Sequence, residues 1–278
     1  MKMTRKKALW LVWLCVSPVA VSAQTGTQII GRALSARGSI VKILAVKSQR
    51  VTGTISFGED ATGPFVVELE RPMKMHMSLT LQDQNMIRVY DGKSAGWANN
   101  PFAGKLDIQD MTEDELKNIS DESDFDGPFV DAKRKGNRFE LVGKDKVADQ
   151  DVWRIKLITK NGDIRYYSFD AKTYLLVRWE GERRYKGQLI PTQSFFHDYR
   201  VVEGLKFAFK IDSGTSLSNL TQKLVIDTIE LNPTIDDSEF AKPATSPATE
   251  PTAPPGTPTA APPKADTPTP GSTPAPPH

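Results

Sequence analysis

Histidines, a cluster of acids and a single cysteine are the residues whose types could do chemistry in this chain. Histidine titrates near neutrality and can move protons or bind metals. His76 falls on the polar side of an alternating stretch, and His197 is followed by Asp198 and Tyr199, an order that could orient an imidazole for acid–base work. Successive strand residues point to opposite faces, so Asp198 turns away from His197. No serine or further carboxylate completes a constellation there. Asp121, Glu122, Asp124 and Asp126, ahead of Gly127, have the alternating oxygens and the glycine of a calcium loop. An EF-hand count from Glu122, however, places Lys133 where a bidentate acid is required. The stretch therefore reads as a solvated acidic turn after a short helix. No glycine-rich phosphate loop, nucleophile elbow or paired zinc histidines occur. The expectation is a protein with no catalytic residues, no metal and no cofactor.

The ends of the chain differ from its middle. Lys2, Arg5, Lys6 and Lys7 precede an apolar stretch from Ala8 to Val16, and Val21-Ser22-Ala23 offers the small residues a signal peptidase reads. Residues 1–23 thus read as a signal peptide cleaved after Ala23. The formal charge of +2 loses those four cations with it, leaving −2 for the remainder. A chain so near neutrality, with both signs interspersed, lacks the footprint of a nucleic-acid binder. Cys15, the one cysteine, lies in the same stretch, so neither a disulfide framework nor a thiol nucleophile is available afterwards. Thirteen of the 20 prolines fall between Pro243 and Pro277 among Ala, Thr, Ser and Gly. Residues 242–278 read as a disordered Pro/Thr/Ala-rich tail, because nothing there can build a core. Residues 24–241 remain as one domain.

Something must position these residues, and periodicity says what. Ile29, Ile30, Ala33 and Leu34, then Ile40, Val41, Ile43 and Leu44, recur at three- and four-residue steps around Gly38, predicting two short helices. From Val51 the period becomes two. Phe65, Val67 and Leu69 alternate with polar or smaller residues, and Met73, Met75, Met77, Leu79 and Leu81 alternate with Lys74, His76, Ser78 and Thr80. Similar stretches at 85–90, 138–142, 152–159, 164–169, 174–179, 195–202, 205–211 and 224–231 predict about ten or eleven strands. Asp91-Gly92, Asn161-Gly162, Glu203-Gly204 and Ser213-Gly214 predict short connections between neighbours. Thr112 and Glu115 have capping-box spacing, with Leu116 and Ile119 as one side of a short helix. The expected fold is mainly β (α+β), an incomplete antiparallel barrel with short helices as a lid. So many strands in one open flat sheet would be unusual.

One face of such a sheet is apolar and must be covered. A filled core satisfies that requirement. So does a cavity, and three methionines in a row favour a wall that re-packs, because an unbranched thioether adapts to irregular shapes. Phe65, Val67, Leu69, Met73, Met75, Met77, Leu79 and Trp97 are the candidate lining of a hydrophobic cavity suited to acyl chains.

The run Glu70-Arg71-Pro72, an alternating strand, Tyr90-Asp91-Gly92-Lys93, Trp97 and Asn100-Pro101-Phe102, with Asn232-Pro233, Ile235-Asp236-Asp237 and Phe240 near the far end, resembles the LolA/LolB family of outer membrane lipoprotein-sorting proteins. That resemblance implies a half-barrel with a helical lid over a cavity for the acyl chains of lipoproteins or lipids. It further implies a monomeric periplasmic carrier, with an inner-membrane release complex and an outer-membrane receptor as partners. By position Arg71 would be the residue that latches the lid through its backbone. The acidic stretch through Asp126, the long strands after Trp153 and the tail exceed the minimal carrier. They leave open a cell-envelope sensor or structural module that binds protein through a filled barrel of the same kind.

Overall fold

The computed structural model describes residues 24–58, 61–215 and 221–243. The expected signal peptide and nearly all of the expected tail lie outside these residues. Helix α1 (Gly26–Arg37) starts at Thr25, whose side chain and that of Gln28 cap each other's backbone in a capping box. Its chain reverses at Gly38 (φ 141°) and Ser39 (φ 107°), and α2 (Ile40–Ala45) follows.

Strands β1 (Ser48–Phe57), β2 (Ala61–Glu70), β3 (Lys74–Leu81) and β4 (Gln84–Tyr90) come next, then β5 (Gly96–Asn100) and β6 (Lys105–Asp110). Helix α3 (Glu113–Glu122) interrupts them, begun by the expected pairing of Thr112 with Glu115. The second half is β7 (Arg138–Val147), β8 (Gln150–Ile158), β9 (Ile164–Asp170), β10 (Leu176–Tyr185), β11 (Gln188–Val202), β12 (Leu205–Thr215) and β13 (Thr221–Leu231).

Among the described residues these strands form one antiparallel sheet in the order β6-β5-β4-β3-β2-β1-β13-β12-β11-β10-β9-β8-β7. The first and last strands of the series, β1 and β13, pair in the middle, while β6 and β7 are free edges. The result is an unclosed barrel, with α3 spanning the concave side to touch β4 and β10 and α1 touching β7 and β12.

Two strands exceed the expected number. β6 is exposed at every position except Ile108, so its sequence carries no burial alternation, and β5 has only five residues. Ser213-Gly214, expected to be a turn, lies inside β12, where Gly214 sits opposite both Gln193 and Thr221. A glycine inside a strand is the mark of a bend or of a close backbone approach as readily as of a turn. Gly63 is a case of close approach, since an added Cβ would overlap the carbonyl oxygen of Thr80 on β3. At Gly53 the β1–β13 register slips by a bulge and the Phe65 ring packs against the glycine, helping the sheet to curl.

Candidate functional site

The concave side is filled unevenly. Over the β1–β3 and β12–β13 part, Phe65 and Leu79 pack with Ile55, Leu81, Phe209 and Ile226. Beneath α3, Leu69 and Met75 pack with Tyr90, Met111 and Ile119, and Met73 rests against this group. Val67 and Met77 lie half-buried where these two clusters meet. Trp97 is half-buried on β5, opposite Val89 and Asp110.

The cavity is elsewhere. A space of about 310 Å³ lies between α1, the segment 126–129 and the part of the sheet from β9 to β13 with β1. Ile30 and Leu34 of α1 form its roof, Phe129 and Phe169 one wall, and Phe207 and Ile229 the floor. None of the eight sequence candidates borders it. Seven of them face the same interior, in a half of the barrel closed by their own packing and by α3, whereas Trp97, opposite Val89 and so on the face of His76, points to the convex side. In the other half, α1 packs Ile29 and Ile30 on Tyr167 and Phe169 of β9 and touches β12, and the gap remains between those contacts. An apolar space of this size is at the lower end of ligand pockets and about twice the ~150 Å³ of a cavity that stays dry and takes up benzene.

Polar groups at the roof are few and engaged. Arg37, the last residue of α1, lines the cavity and donates to the backbone carbonyls of Asp126 (Nη1, 2.7 Å) and Phe125 (Nη2, 2.9 Å). Burial pulls its pKa down, opposed by the negative charges of Asp126 and Asp124. Tyr199 lines the opposite side and donates its hydroxyl to the Leu176 carbonyl at 2.8 Å. Burial pushes that phenol well above its ordinary value, with Arg37 opposing.

Arg71 stands at the rim, between β2 and β3. Its Nε donates to the Val46 carbonyl at 2.6 Å and its Nη2 to the Ile43 carbonyl at 3.1 Å, both at the end of α2. The same guanidinium grips the Asp126 carboxylate with two bonds of 2.6 and 2.7 Å, and lies 5.0 Å from the centre of the Phe125 ring. One planar fork thus joins β2, α2 and the segment after α3, an arrangement that suits guanidinium and not ammonium. Arg37 fastens the same segment from α1.

The acids expected to form a solvated turn are all spent on cations. Asp121 pairs with Arg165, Glu122 with Arg88 (2.8 Å) and Arg183 (2.6 Å), Asp124 with Lys135 (2.6 Å) and Asp126 with Arg71. Asp121 and Glu122 lie on α3, which ran on further than its apolar spacing indicated. Asp126 and Arg37 were therefore missed as site residues. Asp126 carried one signal, an acid immediately before the Gly127 turn; Arg37 carried none. His197 is half exposed and stands 3.6 Å from Asp212 on β12, while Asp198 pairs with Arg200.

The described residues form an open antiparallel half-barrel with helices over an apolar cavity, an architecture that by itself fixes no single activity. No protein-family model and no curated protein matches the chain. Solved structures do. A DUF1329 family protein from Desulfovibrio piger superposes with a TM-score of 0.52 at 10% identity, covering 77% of this chain and 96% of that one. A domain described as an outer membrane lipoprotein-sorting protein, from Vibrio parahaemolyticus, gives 0.51 at 12% identity, with 77% and 95% covered. A LolA superfamily protein from Nitrosomonas europaea gives 0.51 at 14%, with 79% and 99% covered. The chain has a LolA-like fold.

Proposed function

We propose that this protein is a non-enzymatic binding protein of the periplasm, which holds an acyl chain of a lipid or lipoprotein in the cavity under α1. It would serve lipoprotein sorting or transport toward the outer membrane. The observation that carries the reading is the apolar space between Ile30, Phe129, Phe169 and Ile229, roofed by segments that two arginines hold down. The LolA-like fold of the described residues supports it, and among those residues no helix is long and apolar enough to cross a membrane. Each sheltered methylene stabilises the complex by about 0.8 kcal/mol, so a run of about six contributes roughly 5 kcal/mol. Arg71 is the lid latch in this reading, with Asp126 and Arg37 as its counterparts. Half-buried Met73 and Met77 are the side chains that yield to a ligand longer than the cavity. Loading from an inner-membrane complex and release to an outer-membrane receptor would supply direction.

The test is binding of a fluorescent fatty acid, and of a diacylated lipopeptide, to wild type and to Ala33→Trp, which places an indole in the cavity from α1. Either ligand should raise the wild-type unfolding midpoint, and the substitution should weaken binding at least tenfold while unfolding stays cooperative. A wild-type midpoint indifferent to both ligands refutes the proposal. A second reading, a protein-binding module of the cell envelope, draws on α2, which turns Ile40, Val41 and Leu44 outward with Val41 74% exposed. Lipid-indifferent capture of a protein partner, abolished by Val41→Asp, would favour it.

A further inference from the structure

On the convex side, away from the cavity, three side chains from three elements converge. Glu68 of β2 and His76 of β3 are directly opposed cross-strand partners. Glu239 reaches them from the 3-10 turn Asp237–Phe240, which packs on β3 and β4. The Nδ1 of His76 lies 3.4 Å from Glu68 Oε2 and 3.2 Å from Glu239 Oε2, and one ligand atom from each residue falls within 4.8 Å of the others.

We infer that Glu68, His76 and Glu239 form a binding site for a divalent transition-metal ion of the zinc class. The spacing carries the argument. Ligand atoms about 2.0–2.1 Å from a tetrahedral zinc stand roughly 3.3 Å from one another, which is the separation of His76 Nδ1 from both carboxylates. One imidazole nitrogen with two carboxylate oxygens suits zinc better than calcium or magnesium, which prefer oxygen-only shells. Water completes the fourth position.

The surroundings are those of a supported ligand set. Glu68 is buried, and Arg50 Nε donates to its other oxygen, Oε1, at 2.8 Å. That bond fixes the carboxylate and leaves Oε2 directed at His76, in the way outer-shell hydrogen bonds orient metal-ligating carboxylates. Two of the three ligands sit on paired strands, so only Glu239 must be brought in. The turn carrying it is already anchored by buried Phe240, over which Lys74 lies at 5.3 Å, and by the Lys74–Asp237 ion pair. A bound dication neutralises both carboxylates and staples the closing turn to the outside of the barrel. The site shares no residue with the cavity and is independent of the acyl-binding proposal.

The experiment titrates zinc chloride into the chelator-stripped, tag-free full chain by calorimetry, with thermal unfolding followed in parallel. Wild type should bind one equivalent and gain several degrees in midpoint, with magnesium producing neither effect. Glu239→Gln lies on an exposed turn and leaves the sheet intact, so it should weaken zinc binding at least tenfold. His76→Gln should do the same, whereas His197→Gln should behave as wild type. Absence of saturable zinc binding overturns the site, as does binding that survives Glu239→Gln undiminished or is matched by magnesium. In those cases the cluster is a set of polar contacts between the closing turn and the sheet, and not a zinc site.

Discussion

Replacing Arg71 by alanine removes four hydrogen bonds at once, two to the Asp126 carboxylate and one each to the Ile43 and Val46 carbonyls. Breaking one partner of a buried ion pair costs about 3–5 kcal/mol, chiefly because the other charge stays buried and unpaired. Here the carboxylate is the buried partner, its side chain 10% exposed, while that of Arg71 is 30% exposed. Partial solvation lowers the cost to about 2–3 kcal/mol. Much of this loss should appear locally, as opening of α2, because the two carbonyls it releases belong to that helix end. Native-state hydrogen exchange reads it through the Ile43 and Val46 amides, bonded at 3.1 Å to Ser39 and 3.3 Å to Ile43. Their protection should fall by about 30- to 150-fold. Arg71→Lys keeps the charge but not the fork, and should lose about half as much free energy. Combining Arg71→Ala with Asp126→Ala should cost at least about 1 kcal/mol less than the sum of the single changes. Additive costs, or exchange at α2 unchanged in Arg71→Ala, would show that the guanidinium does not hold the lid.

Glu122 links α3 to β4 and β10. Burial pushes its pKa up, but Arg88 and Arg183 more than reverse this and hold it below the ordinary 4.5. A depressed folded pKa gives stability that is present above the unfolded value and lost as pH falls through the folded one. Wild type should therefore lose more stability below about pH 4.5 than Glu122→Gln, in urea titrations at stepped pH; parallel curves would exclude Glu122 as the group responsible. Asp124 acts in the opposite sense: burial raises its pKa despite Lys135, so its protonation on acidification favours the folded state and blunts the loss. Met75→Glu puts a charge among Leu69, Tyr90 and Ile119 beneath α3, and should cost more than about 3 kcal/mol or prevent folding. Exposed Thr80→Glu on the same strand should change stability by less than about 0.5 kcal/mol, and equal effects would contradict the assigned faces of β3.

Much of the architecture was legible in the sequence. Wherever one side of an element is buried and the other wet, composition repeats with the element's own period. That condition holds for α1, for β3 with its buried Met75, Leu79 and Leu81, and for the capped start of α3. It fails for β6, an edge strand with almost no buried side, and at Gly214, where a glycine that looks like a turn sits inside a long strand. Arg71 was marked as a candidate only by its family-like run with Pro72, and the structure places it on the ends of α2.

Alternation determines which residues face inward, but not which inward-facing residues fill space and which border a void. The methionine strand and the cavity wall show the same pattern. They differ because α3 closes over β3 and β4, while α1 meets the other half at β9 and β12 and leaves a gap between those contacts, an arrangement set by helices and strands far apart in the chain. The same holds for charge: that Asp126 is an acid was plain, but that it lies buried under Arg71 rather than in water depends on a contact across 55 residues. The sequence by itself determined the sides of the strands and the ends of the helices, because those follow from neighbours a few residues away. Only the tertiary structure decided where the cavity lies and which segments Arg71 and Arg37 join, because those contacts link residues far apart in the chain.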